Sequence, residues 1–125
     1  SEDALPMPTP DTPATSLDAA AMRRHAGEAA ALLRALANPQ RLLILCHLAE
    51  GECSVGELHA QLDLSQSALS QHLGRLRRAR LVQTRRAAQT IHYAIAPGPV
   101  ATMMQTLHAI YCEQPQTSSR RRRGA

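Results

Sequence analysis

Residues 55–93 read VGELHAQLDLSQSALSQHLGRLRRARLVQTRRAAQTIHY, and this stretch decides the fold. A short helical pattern leads into a second helix with a serine cap, and two runs of β-forming residues then flank a basic turn. This order predicts a helix-turn-helix followed by a β-hairpin wing. The stretch carries six arginines (75, 77, 78, 80, 85 and 86), and no acidic residue occurs from Leu64 to Tyr111. A module of this shape and charge is expected to bind duplex DNA.

The second helix of the motif is predicted to extend from Gln66 to about Arg78, with Ser65 as its N-cap. Its apolar positions recur at helical spacing and should face inward: Ala68, Leu69, Leu73 and Leu76. His72 is expected at the edge of the core. The polar positions should face base edges in the major groove, although a merely solvated surface is the alternative: Gln66, Ser67, Ser70, Gln71 and Arg75.

The wing is predicted from two alternating runs rich in β-branched residues, 81–84 and 91–95. Residues 85–89 lie between these runs and should form the hairpin tip. Arg85 and Arg86, with Gln89 in the same tip, are expected to contact DNA phosphates or the minor groove. Such contacts position a protein on DNA more than they specify a sequence.

The segment before the motif is predicted to be helical. A first stretch capped by Ser16 starts at Leu17, and Gly27 is expected to divide it into two helices. The following helix, from Gln40 to Glu50 after a proline boundary, is apolar nearly all round, so it should be buried together with its Cys46.

Two further signals complete the predicted fold. Ser54 and Glu57 form a capping box for the first helix of the motif. A last helix from about Val100 carries an apolar stripe broader than a small core needs: Met103, Met104, Leu107, Ile110 and Tyr111. This stripe favours a homodimer built through the N-terminal and C-terminal helices. The expected fold is mainly α with a small β-hairpin, in the order α-α-α-α-α-β-β-α.

Composition excludes several classes of protein. The chain has 125 residues and a formal net charge of +4, and all 14 basic residues are arginine. Tyr93 and Tyr111 are the only aromatic residues, so the chain lacks the stacking surfaces that single-stranded nucleic acid requires. With no apolar run of about 18 residues and no secretory signal, a soluble cytoplasmic protein is expected. In that compartment its three cysteines should be free thiols, metal ligands or redox groups.

Domain organisation is predicted from changes in composition. Residues 1–15 are rich in proline and should be a disordered lead, whereas residues 16–113 should form the folded domain. Residues 114–125 should be a disordered, arginine-rich tail. Its four consecutive arginines, 120–123, could touch DNA phosphates or simply raise non-specific affinity.

Three segments carry a resemblance to a known family: ALANPQRLLILCHL, SVGELHAQLDLSQSALSQHLGRLRRARLV and TRRAAQTIHYAI. Over residues 28–113 the chain resembles the ArsR family of bacterial winged-helix repressors. The resemblance implies a homodimer that releases operator DNA when an inducer binds. Many members of that family sense metals. We expect neither of their usual sites, because Ser54 and Gly56 replace a Cys-x-Cys pair and the last helix offers only His108, Cys112 and Glu113.

A narrower resemblance concerns two cysteines, one in the RLLILC segment and one in an IYC motif. They are similar to the dithiol pair of a persulfide-sensing subgroup of the ArsR family. This implies that Cys46 and Cys112 form a disulfide or polysulfide bridge with reactive sulfur species, and that DNA binding then weakens. From the residues alone, two buried thiols that act only as small hydrophobes remain the alternative. Cys53 has no counterpart and is interpreted as a bystander in a loop, with a second target of the same chemistry as the alternative.

Other functions stay open at this point. His108 lies one turn before Cys112, and with Cys46 or His47 it could form a soft metal site in a metal-responsive repressor. An architectural DNA-binding protein without an inducer would leave the cysteines without a role. A Cys–His hydrolase lacks an orienting third group and oxyanion donors, so we expect neither enzyme activity nor a cofactor.

Overall fold

The computed structural model describes residues 17–113, which form five helices and a three-stranded sheet. The predicted helix-turn-helix and wing are confirmed as α3, α4 and the β2–β3 hairpin. The predictions for residues 1–15 and 114–125 lie outside the described residues. In chain order the elements are α1 (Ala19–Leu36), α2 (Pro39–Glu50), β1 (Cys53–Ser54), α3 (Val55–Gln61), α4 (Gln66–Arg78), β2 (Val82–Ala87), β3 (Thr90–Ile95) and α5 (Pro99–Cys112).

The start of α1 differs from the prediction. The Asp18 carboxylate accepts hydrogen bonds from the backbone nitrogens of Ala20, at 3.1 Å, and Ala21, at 3.2 Å. Asp18 therefore satisfies the first free N–H groups of the helix. The predicted start at Leu17 is wrong, and the predicted cap Ser16 lies outside the described residues.

α1 is one continuous helix, so the predicted break at Gly27 is wrong. A glycine in a helix interior costs only about 1 kcal/mol relative to alanine, and the surrounding alanines are strong helix formers. The boundary between two compact units of the chain nevertheless falls within this helix, between Ala30 and Ala31.

Local signals set both ends of α2. The Asn38 side chain accepts hydrogen bonds from the backbone nitrogens of Gln40, at 2.9 Å, and Arg41, at 3.1 Å. Pro39 occupies the first turn, where its missing N–H costs nothing. Gly51 ends the helix at a φ of 152°, a conformation that side-chain-bearing residues rarely adopt.

α2 buries only one face, so the prediction of a helix buried all round is wrong. Ile44 and Leu45 are 0% exposed and Leu48 is 3% exposed, whereas Leu43 is 47% exposed. Cys46 is also exposed and does not lie in the core as predicted. An apolar helix surface shows that burial is possible, but the neighbouring elements decide which side is covered.

The predicted caps of the helix-turn-helix are confirmed. Glu57 N donates to Ser54 Oγ at 3.1 Å, and Ser54 N donates to Glu57 Oε1 at 2.8 Å, which completes the capping box of α3. Ala68 N donates to Ser65 Oγ at 3.0 Å at the start of α4. The inward leucines of these two helices are buried in the core: Leu58, Leu69, Leu73 and Leu76.

The sheet contains a strand that was not predicted. Its order is β1-β3-β2, and both pairings are antiparallel. Cys53 pairs with Tyr93 and Ser54 pairs with His92. A two-residue strand is too short for an alternating pattern to reveal it. Cys53 therefore lies in a strand, and the prediction that it lies in a loop is wrong.

The wing is longer than predicted and its turn is tighter. Ala87 pairs with Thr90, so only residues 88 and 89 form the turn. Ala88 has a φ of 56°, the positive value that the first position of some two-residue hairpin turns requires. The predicted tip at residues 85–89 is wrong, because Arg85 and Arg86 lie within β2. No glycine, proline or asparagine marks the turn in the sequence.

α5 packs one side against the hydrophobic core. Val100 is 1% exposed and Met104 is 7% exposed, and Met103 and Leu107 pack against the core beside them. Tyr111, near the end of the helix, is 77% exposed. None of the helices within residues 17–113 is long and apolar enough to cross a membrane.

Candidate DNA interface and cysteine pair

The outer face of α4 carries the side chains predicted to contact bases. Gln66, Ser67, Ser70 and Gln71 are exposed, as an interface with DNA requires. Arg75 is half-buried and lines a cleft beside the helix. The outward direction predicted for Arg75 therefore holds only in part.

His72 contacts an arginine from another helix. Arg41 Nη1 of α2 lies 3.4 Å from His72 Nδ1. Arginine has no acceptor atom, so Nδ1 accepts the hydrogen bond and the ring proton is on Nε2. Burial and the Arg41 charge both lower the pKa of His72, which favours the neutral ring. The predicted position at the edge of the core is confirmed.

Arg85 is held by an acidic residue that the sequence analysis did not single out. Its Nε lies 3.0 Å from Glu52 Oε2 and its Nη2 lies 2.6 Å from Glu52 Oε1. This two-point pairing with Arg85 lowers the pKa of Glu52 and raises that of Arg85. Arg85 therefore already has an anionic partner in this structure. Arg85, Arg86 and Gln89 are all exposed.

Cys46 lines a cavity of about 910 Å³ that we call the acidic cavity. Its side chain reaches solvent, yet enough protein surrounds the sulfur for burial to be the largest cause of its raised pKa. The nearby Cys112 and Glu50 raise this pKa further. The titratable residues of the acidic cavity are Cys46, Glu50, Glu52, His108 and Glu113.

Cys112 lies at the last position of α5 and is exposed. The two thiols predicted to act as a pair lie on α2 and α5, which pack against each other, and Cys112 is one of the groups that raise the pKa of Cys46. Both are free thiols, and so is Cys53, whose Sγ lies 3.5 Å from the carbonyl oxygen of Gly51. Burial is the largest cause of the raised pKa of Cys53.

His108 interacts with a neighbouring carboxylate. Its Nδ1 lies 3.0 Å from Glu113 Oε2, and both side chains are more than half exposed. Within residues 17–113, no group of three or more His, Cys, Asp or Glu side chains is arranged to hold a metal ion.

Arg41 and Glu52 are the contacts that sequence reasoning missed. Arg41 lies 31 positions before His72, and Glu52 lies 33 positions before Arg85. Helical or strand periodicity relates residues only a few positions apart, so neither pairing leaves a local signal. The available hint was that no acidic residue occurs from Leu64 to Tyr111, so an acidic partner of a wing arginine has to come from outside that stretch.

Known proteins with similar sequences share this module. A family model described as bacterial regulatory protein, arsR family, matches residues 38–84. The transcriptional activator HlyU of Vibrio cholerae is 50% identical over 95 residues, covering 76% of this chain and 88% of HlyU. The biofilm growth-associated repressor of Agrobacterium fabrum is 51% identical over 92 residues, covering 74% of this chain and 79% of that repressor.

A solved structure described as reduced HlyU from Vibrio cholerae has the same fold. It superposes with a TM-score of 0.69 at 52% identity and covers 73% of this chain and 96% of that one. These relatives are regulators of transcription and not enzymes. The winged helix-turn-helix predicted from residues 55–93 is therefore confirmed. The chain belongs to the ArsR family and is a DNA-binding regulator of transcription.

Proposed function

We propose that this chain is a cytoplasmic, homodimeric repressor that releases operator DNA when reactive sulfur species link Cys46 to Cys112. The observation that carries the proposal is the placement of two free thiols on α2 and α5, helices that pack against each other, with Cys112 among the groups that raise the pKa of Cys46. Cys46 also lines a cavity large enough to admit a small sulfur donor. The relatives include both an activator and a repressor, so the repressor role is part of the proposal.

The chemistry needs a persulfide, RSSH, as the oxidant. A thiolate of the pair attacks the outer sulfur, which forms Cys–S–SH and releases RS⁻. The second thiolate attacks the protein-bound sulfur of this persulfide, which forms the Cys46–Cys112 disulfide and releases HS⁻. The two thiols lose two electrons, and these leave on sulfide. A raised pKa leaves Cys46 mostly protonated at neutral pH, so its attack becomes faster as the pH rises.

The DNA-binding half of the proposal uses α4 and the wing. Polar side chains of α4 would contact the operator, namely the exposed Gln66, Ser67, Ser70 and Gln71 and the half-buried Arg75. Arg86 and Gln89 would contact the backbone from the wing, joined by Arg85 when it leaves Glu52. Exposed apolar side chains on α1 and α5 support a homodimer through these helices: Met22, Leu33 and Tyr111.

A bridge between the cysteines would act through α2. This helix packs against both α4 and α5. A covalent bond from Cys46 to Cys112 would restrict how α2 and α5 lie against each other. In a symmetric dimer, a small shift of these helices changes the spacing of the two α4 helices, which must match one turn of DNA. Supporting this view, one relative is described by its redox state as reduced HlyU.

The test begins with operator selection from a random duplex library by the reduced protein. Reduced protein is then treated with glutathione persulfide, hydrogen peroxide or zinc, and operator affinity and intact mass are measured. We expect persulfide to produce a linked Cys46–Cys112 product and to lower affinity. Cys46→Ser and Cys112→Ser should each remove the response, whereas Cys53→Ser is the matched control and should retain it.

Three outcomes would contradict the proposal. Unchanged operator affinity in a fully linked protein would leave the bridge without a regulatory effect. Release by zinc, lost in a His108→Gln variant and absent with persulfide, would favour the metal-responsive alternative. A protein that ignores all three reagents would instead fit the architectural alternative.

A further inference from the structure

A second cavity lies beside the exposed face of α4, and we call it the α4 cleft. It has a volume of about 390 Å³ and is bounded by α4 and by one side chain of α2. Three guanidinium groups line it, together with an imidazole and a hydroxyl: Arg41, Arg75, Arg78, His72 and Ser70. None of the residues 17–113 that line this cleft carries a carboxylate, so this part of the lining carries a net positive charge.

Within residues 17–113, no carboxylate forms an ion pair with the arginines of the α4 cleft. Arg75 is close enough to Arg41 to contribute, after burial, to the lowered pKa of Arg41. Among residues 17–113, the carboxylate ion pairs involve His25, Arg85 and His108, and none involves an arginine of this cleft. Like charges held together without a counterion attract an anion from solution.

Arg41 is fixed in place and still has donors to spare. Its Nε donates to the carbonyl oxygen of Ala35 at 2.6 Å, and its Nη2 donates to that of Arg34 at 3.3 Å. Its Nη1 donates to His72 Nδ1 at 3.4 Å. Arginine has five N–H donors, so two remain for a ligand. The same contact leaves the proton of His72 on Nε2, which adds another donor.

The position of the cleft indicates the source of the anion. Ser70 and Arg75 line it and also belong to the α4 face predicted to meet DNA. A planar guanidinium matches the oxygens of a phosphate in two-point fashion. We propose that the α4 cleft binds one backbone phosphate of duplex DNA, with Arg41, Arg75 and Arg78 as its charged ligands. This deepens the DNA-binding half of the proposed function and does not depend on the thiol switch.

The proposal changes the role of Arg75 and adds a DNA contact from outside the helix-turn-helix. In the cleft, Arg75 would hold the DNA backbone and would not read a guanine. Arg41 would fix the depth of α4 in the groove, since its own position is tied to the end of α1. Phosphate contacts of this kind set the register of a protein on DNA.

The test measures the affinity of the reduced protein for a random-sequence duplex over a series of salt concentrations. Each lost phosphate contact should lower the slope of log K against log salt by about 0.9. We expect this loss for Arg75→Gln and for Arg78→Gln, at all sequences alike. Arg24→Gln, which removes an exposed arginine of α1, is the matched control and should leave the slope unchanged.

Arg41→Gln needs a separate control because Arg41 also binds carbonyl groups at the end of α1. Its slope is therefore measured below the unfolding temperature of the variant, as determined by circular dichroism, and should fall like that of Arg78→Gln. Unchanged slopes in the Arg75 and Arg78 variants would overturn the proposal, and so would a loss restricted to sequences with one particular base pair. Inorganic phosphate, added without DNA, tests for a free-anion site. Thermal stabilisation by phosphate that Arg78→Gln abolishes, with an unchanged duplex slope, would also overturn it.

Discussion

The acidic cavity and the α4 cleft lie along the same helix and have opposite charge. Three carboxylates, Glu50, Glu52 and Glu113, line the cavity that contains Cys46. Of the described residues, three guanidinium groups and no carboxylate line the cleft that contains Arg41. Both Cys46 and Arg41 belong to α2. One helix thus separates a surface suited to thiol chemistry from a surface suited to DNA.

This contrast shows how the two surfaces could be coupled. Each of them includes a residue of α2, Cys46 in the acidic cavity and Arg41 in the α4 cleft, and the Glu52–Arg85 ion pair connects the acidic cavity to the wing. A movement of α2 caused by a bond at Cys46 would also displace Arg41, which is tied to α1 and α4. Coupling between two sites requires such a shared element with two arrangements.

The largest expected effect comes from truncating a buried side chain of α2, the helix that contributes to both surfaces. Leu45→Ala removes a side chain that is 0% exposed and should lower the free energy of unfolding by about 2–5 kcal/mol. Leu43→Ala, two positions earlier and on the exposed side of α2, is the matched control. It should lower the free energy of unfolding by less than about 1 kcal/mol. Urea unfolding followed by circular dichroism measures both. Equal losses at the two positions would mean that both sides of α2 are covered in solution.

A smaller effect is expected from opening the Glu52–Arg85 ion pair between the acidic cavity and the wing. Glu52→Gln leaves Arg85 without its carboxylate partner, so Arg85 becomes available to DNA phosphate. We expect duplex affinity to rise several-fold and the salt slope to become steeper by about 0.9. Fluorescence anisotropy with a random-sequence duplex measures both quantities.

Glu50→Gln is the matched control for this experiment. It makes the same change in net charge at a nearby exposed position, without releasing an arginine. If it raises affinity and slope as much as Glu52→Gln does, the effect comes from overall charge and the release of Arg85 plays no part.

The smallest effect concerns the acidic cavity alone. Glu50 is one of the groups that raise the pKa of Cys46 above its ordinary value of 9.0. Removing its charge lowers that pKa, so Glu50→Gln should increase the thiolate fraction and the alkylation rate of Cys46 at pH 8. The rate of iodoacetamide labelling is measured against pH by mass spectrometry, in a Cys53→Ser, Cys112→Ser background.

Asp63→Asn is the control for the alkylation experiment, because Asp63 is an exposed acid outside the acidic cavity. Its pH profile should match that of the background protein. A Glu50→Gln profile that also matches, or that shifts to higher pH, would show that Glu50 does not act on the thiol.

Local features of the fold were predictable from the sequence. The capping box of Ser54 and Glu57 and the cap at Ser65 involve groups three positions apart, so their residue types alone reveal them. The inward leucines of α4 follow from helical spacing. The cysteines of the candidate site were found through a family resemblance, which spacing by itself does not supply.

Features that depend on distant residues were not predictable in this way. Cys46 was expected in the core, because an apolar helix gives no sign of which side its neighbours will cover. Arg85 was expected to be available to DNA. Its partner Glu52 is distant in the sequence and approaches it only when β1 joins the sheet, so no local pattern indicates the ion pair. The predicted wing turn was too long, because neither residue of the actual turn, at positions 88 and 89, is a typical turn residue.

The sequence by itself determined the order of the helices, the basic character of the DNA-binding module with its acid-free stretch from Leu64 to Tyr111, and the presence of the two thiols. These properties depend on residue types and short spacings, which no folding step can change. Only the tertiary structure decided that Arg41 joins the α4 cleft, that Glu52 holds Arg85, and that Cys46 reaches solvent near Cys112. Those relations are set by the packing of α2 against α4 and α5, and packing brings together residues that the chain keeps far apart.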